Sequence, residues 1–125
     1  MTTVADWMTK NVETIGPNDL LAEAEQRMRR GNFRSLPVVD EHGILLGMLT
    51  DRDLREHKGF LESSRVTAAM VEGVITVRSD DTIEAAAKLI LMRKIGGLPV
   101  VDNGALIGII TATDLLAGFL QQNER

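Results

Sequence analysis

Apolar and polar positions alternate along this chain so as to write one plan twice: short strand, helix, strand, tight turn, strand, helix. In the first run, Glu13 to Ile15 reads as a brief extended stretch. Pro17-Asn18-Asp19 then opens a helix in which Leu20, Ala24 and Met28 share one face at i, i+4, i+8, and Gly31 stops it. Ser35 to Asp40 and Leu45 to Thr50 read as strands joined by Glu41-His42-Gly43, a hairpin-like turn whose glycine can take positive φ. The second run predicts an extended stretch at Ile75 to Val77, a helix over Thr82 to Arg93, strands at Gly97 to Val101 and Ala105 to Ile110, and a last helix from Ala112 to Leu120. Asp81-x-x-Glu84 resembles a capping box at the start of the long helix. The polar, glycine-containing stretch His57 to Arg65 reads as a linker, which divides the chain into residues 1–60 and 61–125.

The duplication extends to residue identity. Val4 to Asp40 falls on Val66 to Asp102 at an offset of 62, and one residue fewer in the second turn makes the offset 61 afterwards. Over 49 aligned positions 17 are identical, among them Met8/Met70, Val12/Val74, Thr14/Thr76, Asp19/Asp81 and Ala24/Ala86. Repeats signal units that cannot bury their apolar faces alone. Two copies predict a closed pseudo-twofold pair in an α+β fold, not a solenoid.

The long helices differ in polarity. The first carries Glu23, Glu25, Arg27, Arg29 and Arg30, whereas the second reads Ala85-Ala86-Ala87-Lys88-Leu89-Ile90-Leu91-Met92. A helix apolar nearly all round must be covered on more than one face, by a deeper core or by a second copy closing as a homodimer.

Composition narrows the function classes. A chain of 125 residues fits one compact domain, and without cysteine it has no disulfide, thiolate nucleophile or Cys-based metal site. Its apolar runs are too short to span a membrane, and the start Met1-Thr2-Thr3-Val4-Ala5-Asp6 lacks a basic region leading into an apolar one. A cytoplasmic location, with neither membrane nor nucleic acid as partner, is the expectation. A net charge of -4 repels nucleic acid, and Trp7, Phe33, Phe60 and Phe119 offer little for base stacking. Trp7 and Met8 are expected at the edge of the core, and His42 and His57 at the surface.

The candidate chemistry lies where each copy passes from an apolar run into a helix. Thr50-Asp51-Arg52-Asp53 alone is a helix-start signature, a hydroxyl at the N-cap and a carboxylate at N3. Its return as Thr111-Ala112-Thr113-Asp114, each time after a G-x3-G segment (Gly43/Gly47 and Gly104/Gly108), suggests more. Free amides at a helix start can receive an anion, and a short carboxylate can accept from two adjacent hydroxyls such as a ribose diol. There is no G-x4-G-K-[ST] loop, no His and carboxylate pair at metal-ligand spacing and no Ser/His/Asp or Cys/His set within one motif, so neither catalytic nor metal-ligating residues are assigned.

Leu-Pro-Val-Val-Asp at 36–40 and 98–102, G-x3-G, and T-x-x-D-L at 50–54 and 111–115, in that order and twice over, resemble a tandem pair of cystathionine-β-synthase-type (CBS) domains, a Bateman module. The ending Thr50 to Arg55 also resembles stand-alone modules of the acetoin-utilisation accessory type. The resemblance implies two βαββα repeats packed through their sheets with helices outside, and a regulatory sensor of adenosine compounds: AMP, ADP or ATP ahead of S-adenosylmethionine or NAD-type ligands. It implies that Thr50, Arg52 and Asp53 face Val74 to Val77 (Ile75, Thr76 and Val77 in particular), and that Thr111, Thr113 and Asp114 face Val12 to Ile15, including Thr14 and Ile15. Phosphates would run toward the residues before Pro37 and Pro99. Those are Arg34 and Ser35 in the first repeat but Gly96 and Gly97 in the second, so two unequal sites are expected. At this length no attached effector domain is expected, so the module is expected to report to a separate effector protein or to act as a nucleotide buffer or subunit. The alternatives are a ligand-free dimerisation scaffold, in which T-x-x-D is only a helix cap, and a nucleotide hydrolase using Asp53 or Asp114 as base.

Overall fold

A computed structural model describes residues 2–123 as an α+β fold. In chain order its elements are α1 (Val4–Trp7), α2 (Leu21–Gly31), β1 (Ser35–Val39), β2 (Leu45–Thr50), α3 (Asp51–Glu56), α4 (Ile83–Arg93), β3 (Gly97–Asp102), β4 (Ala105–Thr111) and α5 (Ala112–Asn123). Both hairpins form as the alternation predicts. β1 pairs antiparallel with β2 and β3 with β4, each with a register shift after the first valine of the Val-Val pair. The turns close through Gly43 and Gly104, at φ of 80° and 83°, values that favour glycine.

Each hairpin gains two flanking partners. Ile15 bridges Val38 in parallel and Val71 bridges Met48 antiparallel on the first, while Val77 bridges Val100 and Thr9 bridges Ile109 on the second. The short extended stretches predicted at 13–15 and 75–77 therefore reduce to single bridges, each with two backbone hydrogen bonds. Ile15 N donates to Pro37 O at 3.0 Å and Val39 N to Ile15 O at 3.0 Å, and Val77 N and Val101 N repeat this at 3.1 and 2.8 Å.

These partners define two packing units that differ from a linear cut at residue 60. Residues 13–74 form one unit, and the chain up to Val12 joins the segment from Ile75 onward in the other. The opening segment of each repeat thus packs on the hairpin of the other repeat. Val66 is buried in a core with Ile15, Leu21, Ala24, Met28, Leu36, Val38, Leu49 and Leu54. Val4 is buried with Val77, Ile83, Ala86, Ile90, Leu98, Val100, Ile110 and Leu115, and Trp7 and Met8 pack on that core as expected. The stretch read as a linker is tied down: Leu61 O and Ser64 O each accept a helix α2 amide at 2.9 Å, and Leu61 packs on the core.

The helices depart from expectation by single residues. Leu20 is the N-cap of α2 and exposed, and Leu21, Ala24 and Met28 form the buried face at i, i+3, i+7. Asn32 and Lys94, not Gly31, adopt the left-handed conformation that ends α2 and α4. Helix α4 is capped by Thr82, whose hydroxyl accepts from Ala85 N at 3.1 Å, while Asp81 accepts from Arg78 N, so the expected Asp81/Glu84 box does not form. Of the apolar run on α4, Ile83, Ala86 and Ile90 are buried, whereas Leu91 and Met92 are exposed, as are Leu116 and Leu120 on α5. Among the described residues, no helix is long and apolar enough to cross a membrane.

Candidate functional site

The two T-x-x-D segments sit at the strand-to-helix junctions β2–α3 and β4–α5. Thr50 has extended backbone while Asp51 is already helical, so the Thr50 side chain reaches back over the first turn. Asp53 N donates to Thr50 Oγ1 at 3.2 Å, and Asp53 Oδ2 accepts from Thr50 N at 2.8 Å and from Thr50 Oγ1 at 3.0 Å. The second junction repeats these bonds: Asp114 N to Thr111 Oγ1 at 3.3 Å, then Thr111 N and Oγ1 to Asp114 Oδ2 at 2.9 and 3.0 Å. Each carboxylate is held by one oxygen. Among the described residues, Oδ1 of Asp53 and of Asp114 takes no hydrogen bond.

This arrangement corrects one expectation. The amides at the start of α3 are largely engaged, Asp53 N by Thr50 and Asp51 N by Arg34 O at 2.9 Å. Ala112 N likewise donates to Gly96 O at 3.2 Å. An anion at these junctions must therefore rely on side chains more than on free backbone. The chain also contains a control for the motif. Thr3 and Asp6 make two of the three contacts at the start of α1, with Thr3 N to Asp6 Oδ2 at 2.9 Å and Thr3 Oγ1 to Oδ2 at 3.2 Å, while Asp6 N donates to Thr3 O at 3.1 Å and not to the hydroxyl. A threonine and an aspartate three apart thus form this cap without a preceding hairpin, and sequence analysis missed the third example.

The junctions bring further candidates together within each unit. Ser35 pairs with Thr50 across the hairpin, which sets Arg34 and Ser35 beside the Thr50–Asp53 cap. Arg34 is exposed and forms no ion pair among the described residues. Arg52 is exposed and leans on Glu56 at 3.3 Å. On the other unit Gly97 pairs with Thr111, setting Gly96 and Gly97 beside the Thr111–Asp114 cap, and Thr113 is exposed. Gly97 is tightly packed against Ile110 O, whereas a β-carbon on Gly96 would meet nothing within 4 Å.

The remaining candidates separate into packing and accessible residues. Ile15 and Val77 are 1% and 3% exposed in the cores of their own units, so packing occupies their side chains. Pro37 and Pro99 are buried in β1 and β3, where their carbonyls receive Ile15 N and Val77 N. Ile75 packs on its core from a half-buried position, and Thr76 is exposed. Thr14 is half-buried, and its carbonyl accepts from Arg27 Nη1. Thr14 and Ile15 edge a depression of about 540 Å3 that Asp19, Asp40 and Glu41 also line. His42 is exposed as expected, but His57 is half-buried at the C-cap of α3, its Nδ1 3.0 Å from Asp53 O.

The duplicated aspartates of the Leu-Pro-Val-Val-Asp segments serve different ends. Asp40 accepts from His42 N at 2.8 Å and Ile44 N at 3.0 Å, closing its own turn. Asp102 accepts from Ser79 Oγ at 2.6 Å and Ser79 N at 3.1 Å. The aligned position in the first repeat is Pro17, which has no donor. Both carboxyls are held below the usual carboxylate range. For Asp40 the main cause is the Ile44 amide, and for Asp102 it is the Ser79 hydroxyl.

Comparison with known proteins agrees with this architecture. The chain is similar to AcuB from Vibrio cholerae, a protein named for acetoin utilization, at 30% identity and a TM-score of 0.88, covering 99% of this chain and 94% of that one. It is similar to CBSX2, crystallised in complex with AMP, at 30% identity and TM-score 0.87 over 98% and 99% of the two chains. The CBS domain pair of MJ0100, in complex with 5'-methylthioadenosine and S-adenosyl-L-methionine, matches at 30% identity and TM-score 0.84 over 98% of both. Curated relatives whose names denote enzymes align over only 21–24% of their own length. With the CBS domain model matching residues 4–59 and again 66–120, the chain belongs to the CBS domain family as a tandem pair.

Proposed function

We propose that this chain is a regulatory module that binds an adenosine-containing ligand, with Asp53 and Asp114 accepting from ribose hydroxyls, and reports the bound state to a separate effector protein. The observation that carries the reading is the half-used carboxylate: Oδ2 is fixed by the cap at both junctions, and Oδ1 is left to accept from a ligand. The fixed oxygen orients the group beforehand, which lowers the ordering cost of binding. Thr50 and Thr111 act here as positioners of the carboxylate, because their hydroxyls already donate to it. AMP, ADP or ATP is the leading ligand class, in keeping with the AMP complex of one relative, and S-adenosylmethionine follows from another. No catalytic residue is assigned.

A ligand that binds one arrangement of the module better than another shifts the population toward it, which is all that sensing requires. The test is thermal unfolding with AMP, ADP, ATP, S-adenosylmethionine and NADH. Saturation at about 100 times the dissociation constant adds about 2.7 kcal/mol, so at least one compound should raise the Tm by several degrees. No shift with any of them sinks the reading.

A second reading has its own support: at Thr3/Asp6 the carboxylate is held by the same two threonine donors, so T-x-x-D can be wholly structural, in a scaffold that only dimerises. Both readings share a homodimer formed through Leu91, Met92, Leu116 and Leu120, which leave apolar surface on α4 and α5. Leu91→Glu combined with Leu116→Glu should halve the mass measured by light scattering while leaving the fold intact. An unchanged mass would reject this surface as the contact.

A further inference from the structure

We infer that the cavity between helices α2 and α3 binds a small amphiphile with one negative charge, an alkyl or aryl carboxylate. Neither Thr50 nor Asp53 lines it, so such a ligand is separate from the adenosine compound proposed above.

The cavity has a volume of about 510 Å3, within the range of small-molecule sites. Met28 and Leu54, buried in the core of this unit, and Leu61, packed against that core, give it an apolar base. Phe33 extends that surface. Its ring lies over Gly31, where a β-carbon would collide with it, and its amide donates to Met28 O at 2.9 Å. Phe33 is nonetheless 44% exposed. An aromatic group already held in place offers apolar area at little ordering cost.

The charges around this base select the sign of the ligand. Arg29, Arg55 and Lys58 line the cavity together with Glu25 and Asp51. Arg29 pairs with Glu25 at 3.4 Å and Arg55 with Asp51 at 3.3 Å, whereas Lys58 forms no ion pair among the described residues. Three cations against two acids leave one positive charge at the cavity, on a chain whose net charge is -4. A carboxylate can pair with Lys58 while its apolar body displaces water from Phe33, and that loss of water strengthens the pair. A cationic head gains the same apolar contact but meets an unpaired ammonium.

The first repeat alone has this combination. At the aligned positions of the second, Ile90 and Leu115 keep the apolar base, but Leu91, Leu116 and Phe119 stand for Arg29, Arg55 and Lys58, and Arg93 for Gly31. Core packing accounts for the base in both copies and does not require the cationic rim.

The test uses the full chain, isotopically labelled, and follows its amide resonances during titration with octanoate, naphthoate and octylammonium. Both carboxylates should shift the amides of Met28, Phe33, Leu54 and Lys58, and octylammonium should bind at least about 10-fold more weakly than octanoate. Lys58→Ala should weaken octanoate about 10-fold, and Lys58→Arg should restore it. Four results would each overturn the assignment: no shift of these amides with either carboxylate, shifts confined to Leu91 and Leu116, equal binding of octylammonium, or wild-type affinity in Lys58→Ala. Cavity resonances that change with protein concentration before any compound is added would also overturn it, by showing a second copy as the occupant. None of these outcomes bears on the adenosine ligand, whose test is the thermal unfolding series above.

Discussion

The carbonyl oxygen of Val71 lies 2.6 Å from where a β-carbon on Gly47 would stand, and that carbonyl also receives Met48 N at 2.9 Å. The same relation recurs between Thr9 O and Gly108, at 2.8 Å. The second glycine of each G-x3-G segment is therefore a docking position, where an opening segment crosses the hairpin. Met70 and Met8 lie against the same glycines, through sulfur atoms 3.3 and 2.9 Å from the absent β-carbon. This accounts for the identity of both residues in the two repeats.

Gly47→Ala and Gly108→Ala should each destabilise the protein by about 1–3 kcal/mol, because backbone and not a flexible side-chain end must yield. Gly96→Ala, with open space at its β-carbon, should change stability by less than about 0.5 kcal/mol. Chemical denaturation of the three variants checks this. Equal losses at all three positions would contradict the docking role.

Fragments should follow the packing units and not the repeats. A fragment of residues 13–74 retains Val66, Ala69 and Met70 against the first hairpin. A fragment of residues 1–60 loses them, including the fully buried Val66, whose burial stabilises by about 1.5–3 kcal/mol. Circular dichroism melts should show a cooperative transition for the longer-cut fragment and none for 1–60. The opposite order would mean that the opening segments are peripheral to folding.

Caps and ligand contacts can be separated with Asp6 as the reference. Asp6→Ala, Asp53→Ala and Asp114→Ala each remove a capping carboxylate and should cost about 0.5–2 kcal/mol of stability. Only the last two should weaken adenosine-ligand binding, by about 10-fold or about 1.4 kcal/mol. If the three lower affinity alike, the effect is on folding and the ribose role is lost.

Acid should act through the Ser79–Asp102 bond. With the Asp102 carboxyl lowered below its unfolded value by the Ser79 hydroxyl and amide, the folded state favours the ionised form. That contribution is fully present above the unfolded carboxylate pKa of about 4 and disappears as pH falls through the lower folded value. Ser79→Ala should thus lower the Tm at pH 7, and the gap to the wild type should narrow progressively as the pH falls below about 4. A gap independent of pH would mean that the serine acts by packing. Asp40, lowered by the Ile44 and His42 amides, adds to the same acid-side loss in both proteins.

Patterning alone located the hairpins, the glycine turns, the helix pair of each repeat and the duplicated Thr–Asp junctions, because these are local consequences of side-chain period and turn chemistry. Single-residue departures have local competitors behind them. Thr82 outcompetes Asp81 as the cap because Asp81 already serves the Arg78 amide, and Leu21 displaces Leu20 from the core face because Leu20 is the non-helical N-cap.

The exchange of opening segments was not legible. Val4 and Met8 match Val66 and Met70, and Gly47 matches Gly108, so either segment is chemically suited to either hairpin. The chain even leaves both segments alike, through left-handed residues at the aligned positions Asn11 (φ 54°) and Gly73 (φ 66°). The amino-acid sequence by itself determined that there are two alike units, each with a threonine and a carboxylate at a strand end. Only the tertiary structure decided that each unit is completed by the other repeat's first residues, and that the junction amides are taken up by Arg34 and Gly96, because a hydrogen bond between distant segments leaves no mark on the local pattern.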